Sequence, residues 1–179
     1  LARIGGVREI TLLGQTVNSY GKRLAKGHKI GLHHVLHELD KIPGLERIRF
    51  ITSHPRFLSA EIIEAMASLE KVCEYLHLPV QSGSNSVLER MLRTYTVEHY
   101  KTVVGQCRER VPGLALATDI IVGFCGETDE EFQSTVRLLE DVRFESGFVF
   151  KYSERTGTRA AELFAADVPE DVKRERHRV

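Results

Sequence analysis

Two periods of apolar spacing alternate along the chain. Short runs rich in β-branched and aromatic residues, each closed by glycine, proline or polar residues, read as strands. They are Glu9 to Leu13, Arg47 to Ser53, Tyr75 to Val80, Leu114 to Val122 and Gly147 to Tyr152. Between them the spacing becomes helical. Leu32, Val35, Leu36 and Leu39 fall at i, i+3, i+4 and i+7, and so do Tyr100, Val103, Val104 and Cys107. Thr128 with Glu131 three residues on reads as a capping box, in which each side chain satisfies a free N–H of the other's backbone. Phe132, Val136 and Leu139 then form that helix's stripe, and Ser59 is placed to cap a helix carrying Ile62, Ile63 and Met66.

Alternation of this kind implies parallel strands joined by crossover helices. A doubly wound sheet and a (β/α) barrel both satisfy it, and in both the loops at the carboxyl ends of the strands carry the chemistry. Here those loops begin at Gly14, Ser53, Gln81, Gly123 and Ser153 and are polar and glycine-rich. The charged run from Pro169 to Val179 is expected to be an exposed helix leading to something downstream.

Composition narrows the class. With 179 residues, 42% hydrophobic and 28% charged, the chain suits one globular domain with a sizeable core. Lys plus Arg and Asp plus Glu are 25 each, which excludes a wholesale polyanion binder but not a local basic patch. No apolar run is long enough to span a bilayer. Leu1 to Gly6 show no charged leader with an apolar core, and the missing initiator Met points to a piece of a longer protein. Cys73, Cys107 and Cys125 are few and far apart, which fits a reducing cytosol better than a disulfide framework. They form neither CxxC nor CxxxCxxC, so no local motif makes a zinc or iron–sulfur site.

Single residues carry competing readings. His33 and His37 stand one helical turn apart, but the apolar stripe turns this His cluster, with His34, toward solvent. The loop Gly123-Phe124-Cys125-Gly126-Glu127-Thr128 is either a backbone platform for a flat ligand or a tight turn, with Cys125 a small buried filler. Asp119, inside an apolar strand, is either a hydrogen-bond hub or a polar contact in a barrel interior. Gln81 to Asn85 suit hydroxyl or amide recognition, and Arg93 is either a carboxylate clamp or a surface charge.

Taken together, several segments resemble the radical S-adenosylmethionine methylthiotransferases, most closely the branch of tRNA-2-methylthio-N6-dimethylallyladenosine synthases. They are EITLLGQTVNSYG (9–21), RIRFITSHP (47–55), HLPVQSGSNSVLERM (77–91), RTYT (93–96), TDIIVGFCGETDEEF (118–132) and FKYSERTGTRAA (150–161). Cys125 replaces the proline more common in that family's loop. The family's CxxxCxxC motif is not in this sequence, nor are the amino-terminal cysteines of its auxiliary cluster or its TRAM domain.

The resemblance implies a fold and an activity. The fold would be α/β, a partial TIM-like (β/α) barrel with parallel strands and outer helices. Residues 1–165 would be the middle and carboxyl part of the radical core, and 166–179 a charged helix or linker toward the TRAM domain. The parent enzyme would add a methylthio group at carbon 2 of N6-isopentenyladenosine beside the tRNA anticodon, while this segment alone would be inactive. It would use S-adenosyl-L-methionine and two 4Fe–4S clusters, with ligands outside this chain. One S-adenosylmethionine would give the methyl group and another the 5′-deoxyadenosyl radical. Partners would be tRNA and an electron donor, with no membrane; the enzyme would be cytoplasmic and monomeric. Alternatives are a branch acting on a ribosomal protein or on threonylcarbamoyl-adenosine, and a non-catalytic RNA-binding barrel. For the cofactor the resemblance implies Gln15, Asn18, Gln81, Ser82 and Arg93, with Ile121, Val122, Gly123 and Phe124 as the adenine edge. On the RNA side it implies His54, Lys151, Tyr152 and Arg155.

Overall fold

A computed structural model describes residues 6–22 and 30–179, so most of the opening stretch read for a leader lies outside the described residues. In chain order the elements are β1 (Glu9–Leu12), α1 (Leu32–Asp40), β2 (Arg47–Phe50), α2 (Ala60–Ser68), β3 (Tyr75–His77), α3 (Asn85–Arg90), α4 (Val97–Arg110), β4 (Ala115–Val122), α5 (Asp129–Val142), β5 (Ser146–Lys151), α6 (Arg159–Leu163) and α7 (Glu170–Arg178). The five strand runs and the alternating helices expected from the periodicity are all present. The chain divides into two compact units, residues 1–79 with 103–117 and residues 80–102 with 118–179.

In the first unit β1 and β2 run parallel, with Glu9 opposite Arg47 and Leu12 opposite Phe50. Ile48 makes a parallel bridge to Val72, and β3 runs parallel to Ala115–Ala117 of β4. No two of these first four runs pair antiparallel. Leu32 and Leu36 of α1, Ile62, Ile63 and Met66 of α2, and Val104 and Cys107 of α4 bury their expected stripes. Burial pushes the Cys107 thiol up to about 12, so it behaves as a small hydrophobe. Ser59 takes the cap position of α2, but its side chain makes no capping bond. His34 and His37 are exposed as expected, whereas His33 is half-buried.

The second unit is built around the far half of β4, with β5 as its neighbour. The Tyr152 N–H donates to the Val122 carbonyl at 2.8 Å. Thr128 caps α5 as its sequence predicts: its hydroxyl accepts from the Glu131 N–H (3.2 Å), and its own N–H donates to the Glu131 carboxylate (2.9 Å). The seam of α5 is displaced from the expected one. Phe132, Thr135, Leu138 and Val142 are buried, while Val136 and Leu139 are half-buried. A polar Thr135 in the seam, bonded to Ser82 and Gly83, hides that face from an apolar count.

The charged carboxyl-terminal run is a helix, but it is not simply exposed. Lys173 and Arg176 are buried. Glu127, in the loop after β4, has a fully buried carboxylate, and such a group needs a charge partner. Arg176 supplies it at 2.8 Å, also donates to the Glu127 carbonyl (3.0 Å) and to Asp129 (2.7 Å), and lies over the Phe132 ring.

Candidate functional site

The strand-end loops of the first unit brace one another. Asn18 is buried, and its Nδ2 donates to the His54 carbonyl while its Oδ1 accepts from the His54 N–H, both at 2.9 Å. Thr52 sits at φ +65°, a left-handed conformation that is costly for a β-branched residue. Its N–H donates to His77 Nδ1 (3.2 Å), and its carbonyl accepts from Val17 (3.1 Å). His54 is half-buried, its ring 5.1 Å from that of Phe57. Gln15 is exposed in the turn after β1. Asn18 was expected to approach a cofactor; both ends of its amide instead hold a loop.

The second unit gathers many of the remaining predicted residues. A cavity of about 500 Å3 is lined by Gln81, Asp119, Ile121, Lys151, Tyr152 and Arg155, together with Phe150, Ser153, Thr158 and Ala160. Asp119 is half-exposed on its wall and so is not the buried carboxylate that its apolar strand suggested. Gln81 stands at φ +72°; its N–H donates to the Asp119 carbonyl and its carbonyl accepts from Ile121, each at 2.9 Å. Those bonds pin a strained residue at the end of the ladder, where strain concentrates in functional loops.

A smaller cavity of about 160 Å3 shares Ile121 and Tyr152 and adds Arg90, Arg93, Phe124 and Phe164. The Arg93 Nε is buried with no hydrogen-bond partner. Leu92, at φ +55°, precedes it. A guanidinium nitrogen left without an acceptor is costly, so this corner is fitted to an anionic or carbonyl group. The Tyr152 ring meets the Phe124 ring edge-on at 4.8 Å. Burial, with the Cys125 thiol next in effect, pushes the Tyr152 phenol up to about 12, so it stays protonated. Cys125 is buried, as a filler should be.

Three predicted contacts are buried behind the loops. Ser82 is fully buried: its hydroxyl is shared with Thr135 Oγ1 (3.3 Å) and accepts from the Ser84 N–H (3.2 Å). Val122 is buried in the strand. Gly123 adopts φ +71°, but a Cβ there would lie 2.4 Å from Lys173 Cγ. The room this glycine leaves is therefore filled by the stem of Lys173, rather than open to a flat ligand.

The ion pairs behind these loops, one buried and one half-buried, went unnoticed in the sequence. Besides Glu127 with Arg176, Arg90 holds Glu131 at 2.8 and 3.1 Å and reaches the Cys125 carbonyl (3.2 Å). Burial alone pushes the Glu131 carboxyl up; hydrogen bonds from Arg90, Ser86 and the Thr128 N–H outweigh it and hold the pKa at about 2. The only sequence signal was the acid spacing after Gly126, which reads first as a helix cap.

Comparison with known proteins places this arrangement in a class. The family model of the radical SAM superfamily matches residues 1–139, and the chain belongs to that superfamily. S-adenosylmethionine and a 4Fe–4S cluster are the implied cofactors of the family. Among curated relatives, the chain is 54% identical over 171 residues to the tRNA-2-methylthio-N(6)-dimethylallyladenosine synthase of Acetivibrio thermocellus, covering 96% of this chain and 35% of the relative. It is 54% identical to the synthase of Protochlamydia amoebophila, with 96% and 38% covered, and 49% identical to that of Syntrophomonas wolfei, with the same coverage. The chain thus spans little more than a third of the length of these relatives.

Among solved structures, coproporphyrinogen III oxidase of Escherichia coli matches with TM-score 0.63 at 19% identity, over 80% of this chain and 35% of that one. The radical S-adenosylmethionine methyltransferase TsrM of Kitasatospora setae matches with TM-score 0.53 at 20% identity, over 66% and 24%. At such identities the likeness concerns fold alone, and it bears out the α/β class with parallel strands and helices of the radical SAM type. No helix among the described residues is long and apolar enough to cross a membrane.

Proposed function

We propose that the chain is the cofactor-holding segment of a tRNA methylthiotransferase that modifies carbon 2 of N6-isopentenyladenosine. The observation that carries this reading is the 49–54% identity, over 96% of the chain, to synthases of that name. The parent protein would work in the cytoplasm with a second 4Fe–4S cluster and an electron donor, and its cluster ligands would lie outside this sequence. Residues 1–165 would serve as its radical core and 166–179 as the start of the connection onward. A ribosomal-protein branch or a non-catalytic barrel lacks a comparable observation.

The second unit's cavities suit S-adenosylmethionine on their own chemistry. The unpartnered Arg93 Nε would take the cofactor's carboxylate. Ile121 and Phe124 offer an apolar wall to adenine, and Gln81 and Asp119 offer polar atoms beside it. Gln15, exposed after β1, would contact the cofactor's amino group, whereas Ser82, Val122 and Gly123 act as scaffold and Asn18 positions His54. When bound, the cofactor would supply the methyl group and the radical chemistry. This chain would orient it against an apolar wall and keep stray C–H and S–H hydrogen donors away from the radical chemistry it supplies. Lys151 and Arg155 would meet RNA phosphates, and His54 and Tyr152 offer rings on which bases stack.

Mass spectrometry of tRNA nucleosides from cells lacking the whole gene tests the proposal. Loss of 2-methylthio-N6-isopentenyladenosine with accumulation of the unthiolated nucleoside is expected; an unchanged nucleoside profile would overturn it.

A further inference from the structure

The loop after β4 brings Phe124 to the smaller cavity of the second unit. Two glycines give that loop its course in left-handed backbone, Gly123 at φ +71° and Gly126 at φ +67°. Such residues have much conformational freedom to lose, so the loop keeps one shape only if something outside it holds it. Glu127 is the point of attachment. Its Oε2 accepts from the Gly123 N–H at 2.6 Å, and its own N–H donates to the Phe124 carbonyl at 2.9 Å.

Glu127 in turn depends on a single cation. Its carboxylate is fully buried and Oε1 has no hydrogen-bond partner, so compensation falls on Oε2. There Arg176 of α7 donates at 2.8 Å, and it donates also to the Glu127 carbonyl at 3.0 Å. Burial pushes the Glu127 carboxyl up, and the Gly123 N–H and Arg176 act against that push. The other carboxylate that Arg176 meets, Asp129, is 92% exposed, and water can replace its partner. One turn earlier on α7, the stem of Lys173 fills the space beside Gly123, and its Nζ lies 5.6 Å from the centroid of the Tyr152 ring. No residue of α7 lines the cavity at Gln81 or the one at Arg93. The helix backs the wall of the site without entering it.

We propose that Arg176 is a positioning residue for S-adenosylmethionine: through Glu127 it holds the Gly123–Phe124 backbone in the shape that meets adenine. The proposal rests on the cofactor reading above and deepens it, adding a residue that acts on the ligand without touching it. A buried carboxylate deprived of its cation does not stay charged in place. Once it turns toward water, the Gly123 N–H loses its acceptor and the Phe124 wall loses its brace.

The test is calorimetric titration of S-adenosylmethionine into the full-length protein, with the thermal midpoint of each variant measured alongside. Arg176→Gln is expected to bind roughly tenfold more weakly. The neutral pair Glu127→Gln/Arg176→Gln should return to within about threefold of wild type, because an amide oxygen still accepts from Gly123 and no charge is left unpaired. Arg176→Lys, which keeps the charge, should recover most of the affinity. A merely structural role would move the midpoint and give no such recovery. Val104→Ala, a truncation in the core of the first unit, serves as the control: a lower midpoint with unchanged affinity. If Arg176→Gln fails to fold, Glu127→Ala takes its place, since it removes the Gly123 acceptor and leaves no buried carboxylate; it should bind roughly tenfold more weakly while the neutral pair does not. Wild-type affinity in Arg176→Gln beside weakened binding in Arg93→Ala would overturn the proposal and leave the cofactor reading standing. A neutral pair as weak as Arg176→Gln alone would show that the effect does not run through Glu127 and would overturn it too. Wild-type affinity in both Arg176→Gln and Arg93→Ala would overturn the cofactor reading with it.

Discussion

The side chain of Asn18 closes on both main-chain polar atoms of His54, 2.9 Å from each. One amide thereby fixes the loop after β2 to the turn after β1. Asn18→Ala takes the Asn18 acceptor from the half-buried His54 N–H, while the His54 carbonyl keeps the Phe57 N–H at 3.0 Å, so the cost is about 1–3 kcal/mol for the one group that loses its acceptor. The expected result is a lower urea midpoint at an unchanged slope. An unaltered midpoint would show that water replaces the amide.

Glu131 ties stability to pH. Its carboxyl titrates at about 2 in the folded chain and near the ordinary value of ~4.3 once unfolded. The unfolded state therefore binds the proton first as pH falls. The stabilisation is complete above that unfolded value and fades as pH drops toward 2. Comparing the unfolding midpoints of wild type and Glu131→Gln between neutral pH and pH near 2 checks this. The gap should narrow below roughly pH 4.5, whereas a constant gap would contradict the assignment.

How far the sequence reaches is shown by particular residues. Period alone located all five strands and placed Thr128 with Glu131 as a cap, because both signals are local. The seam of α5 was misplaced since Thr135 is polar yet buried by hydrogen bonds that come from a loop some fifty residues earlier. Arg176 and Glu127 lie 49 residues apart, and a charged run gives no sign of which charge turns inward. Asn18, Ser82 and Gly123 were read as ligand contacts on the strength of the motifs that hold them. Their side chains, or in Gly123 the lack of one, serve packing behind the loops. Gln81, Ile121 and Arg93 do line cavities at the strand ends, a placement that was legible because the loops of such folds gather there.

Two glycines should respond oppositely to alanine. A Cβ at Gly83 would come within 2.5 Å of the Thr135 Cα and the Ser134 carbonyl oxygen, both backbone, so Gly83→Ala must push α5 away. At Gly105, in the middle of α4, a Cβ meets nothing within 4 Å. Gly105→Ala is expected to stabilise by about 0.5–1 kcal/mol through helix propensity, and Gly83→Ala to lower the melting temperature sharply. Equal effects of the two would contradict the close approach at Gly83.

Calorimetric titration of S-adenosylmethionine into the full-length protein separates contact from scaffold. Arg93→Ala removes a buried nitrogen that has no partner in the fold and should weaken binding roughly tenfold or more, since bonds to charged groups contribute ~1.5–3 kcal/mol. Ser82→Ala should act on stability and leave affinity nearly unchanged. His99→Ala, at an exposed position on α4, is the control. Wild-type affinity in Arg93→Ala would place the carboxylate elsewhere.

The most direct test of the central claim is a turnover assay on the purified full-length protein. It is reconstituted with iron and sulfide and supplied with S-adenosylmethionine, a reductant and a stem-loop carrying N6-isopentenyladenosine. Mass spectrometry of the digested RNA should show the 2-methylthio nucleoside, formed only when the isopentenyl group is present. Modification of a protein or of threonylcarbamoyl-adenosine instead, or no product from a fully reconstituted protein, would contradict it.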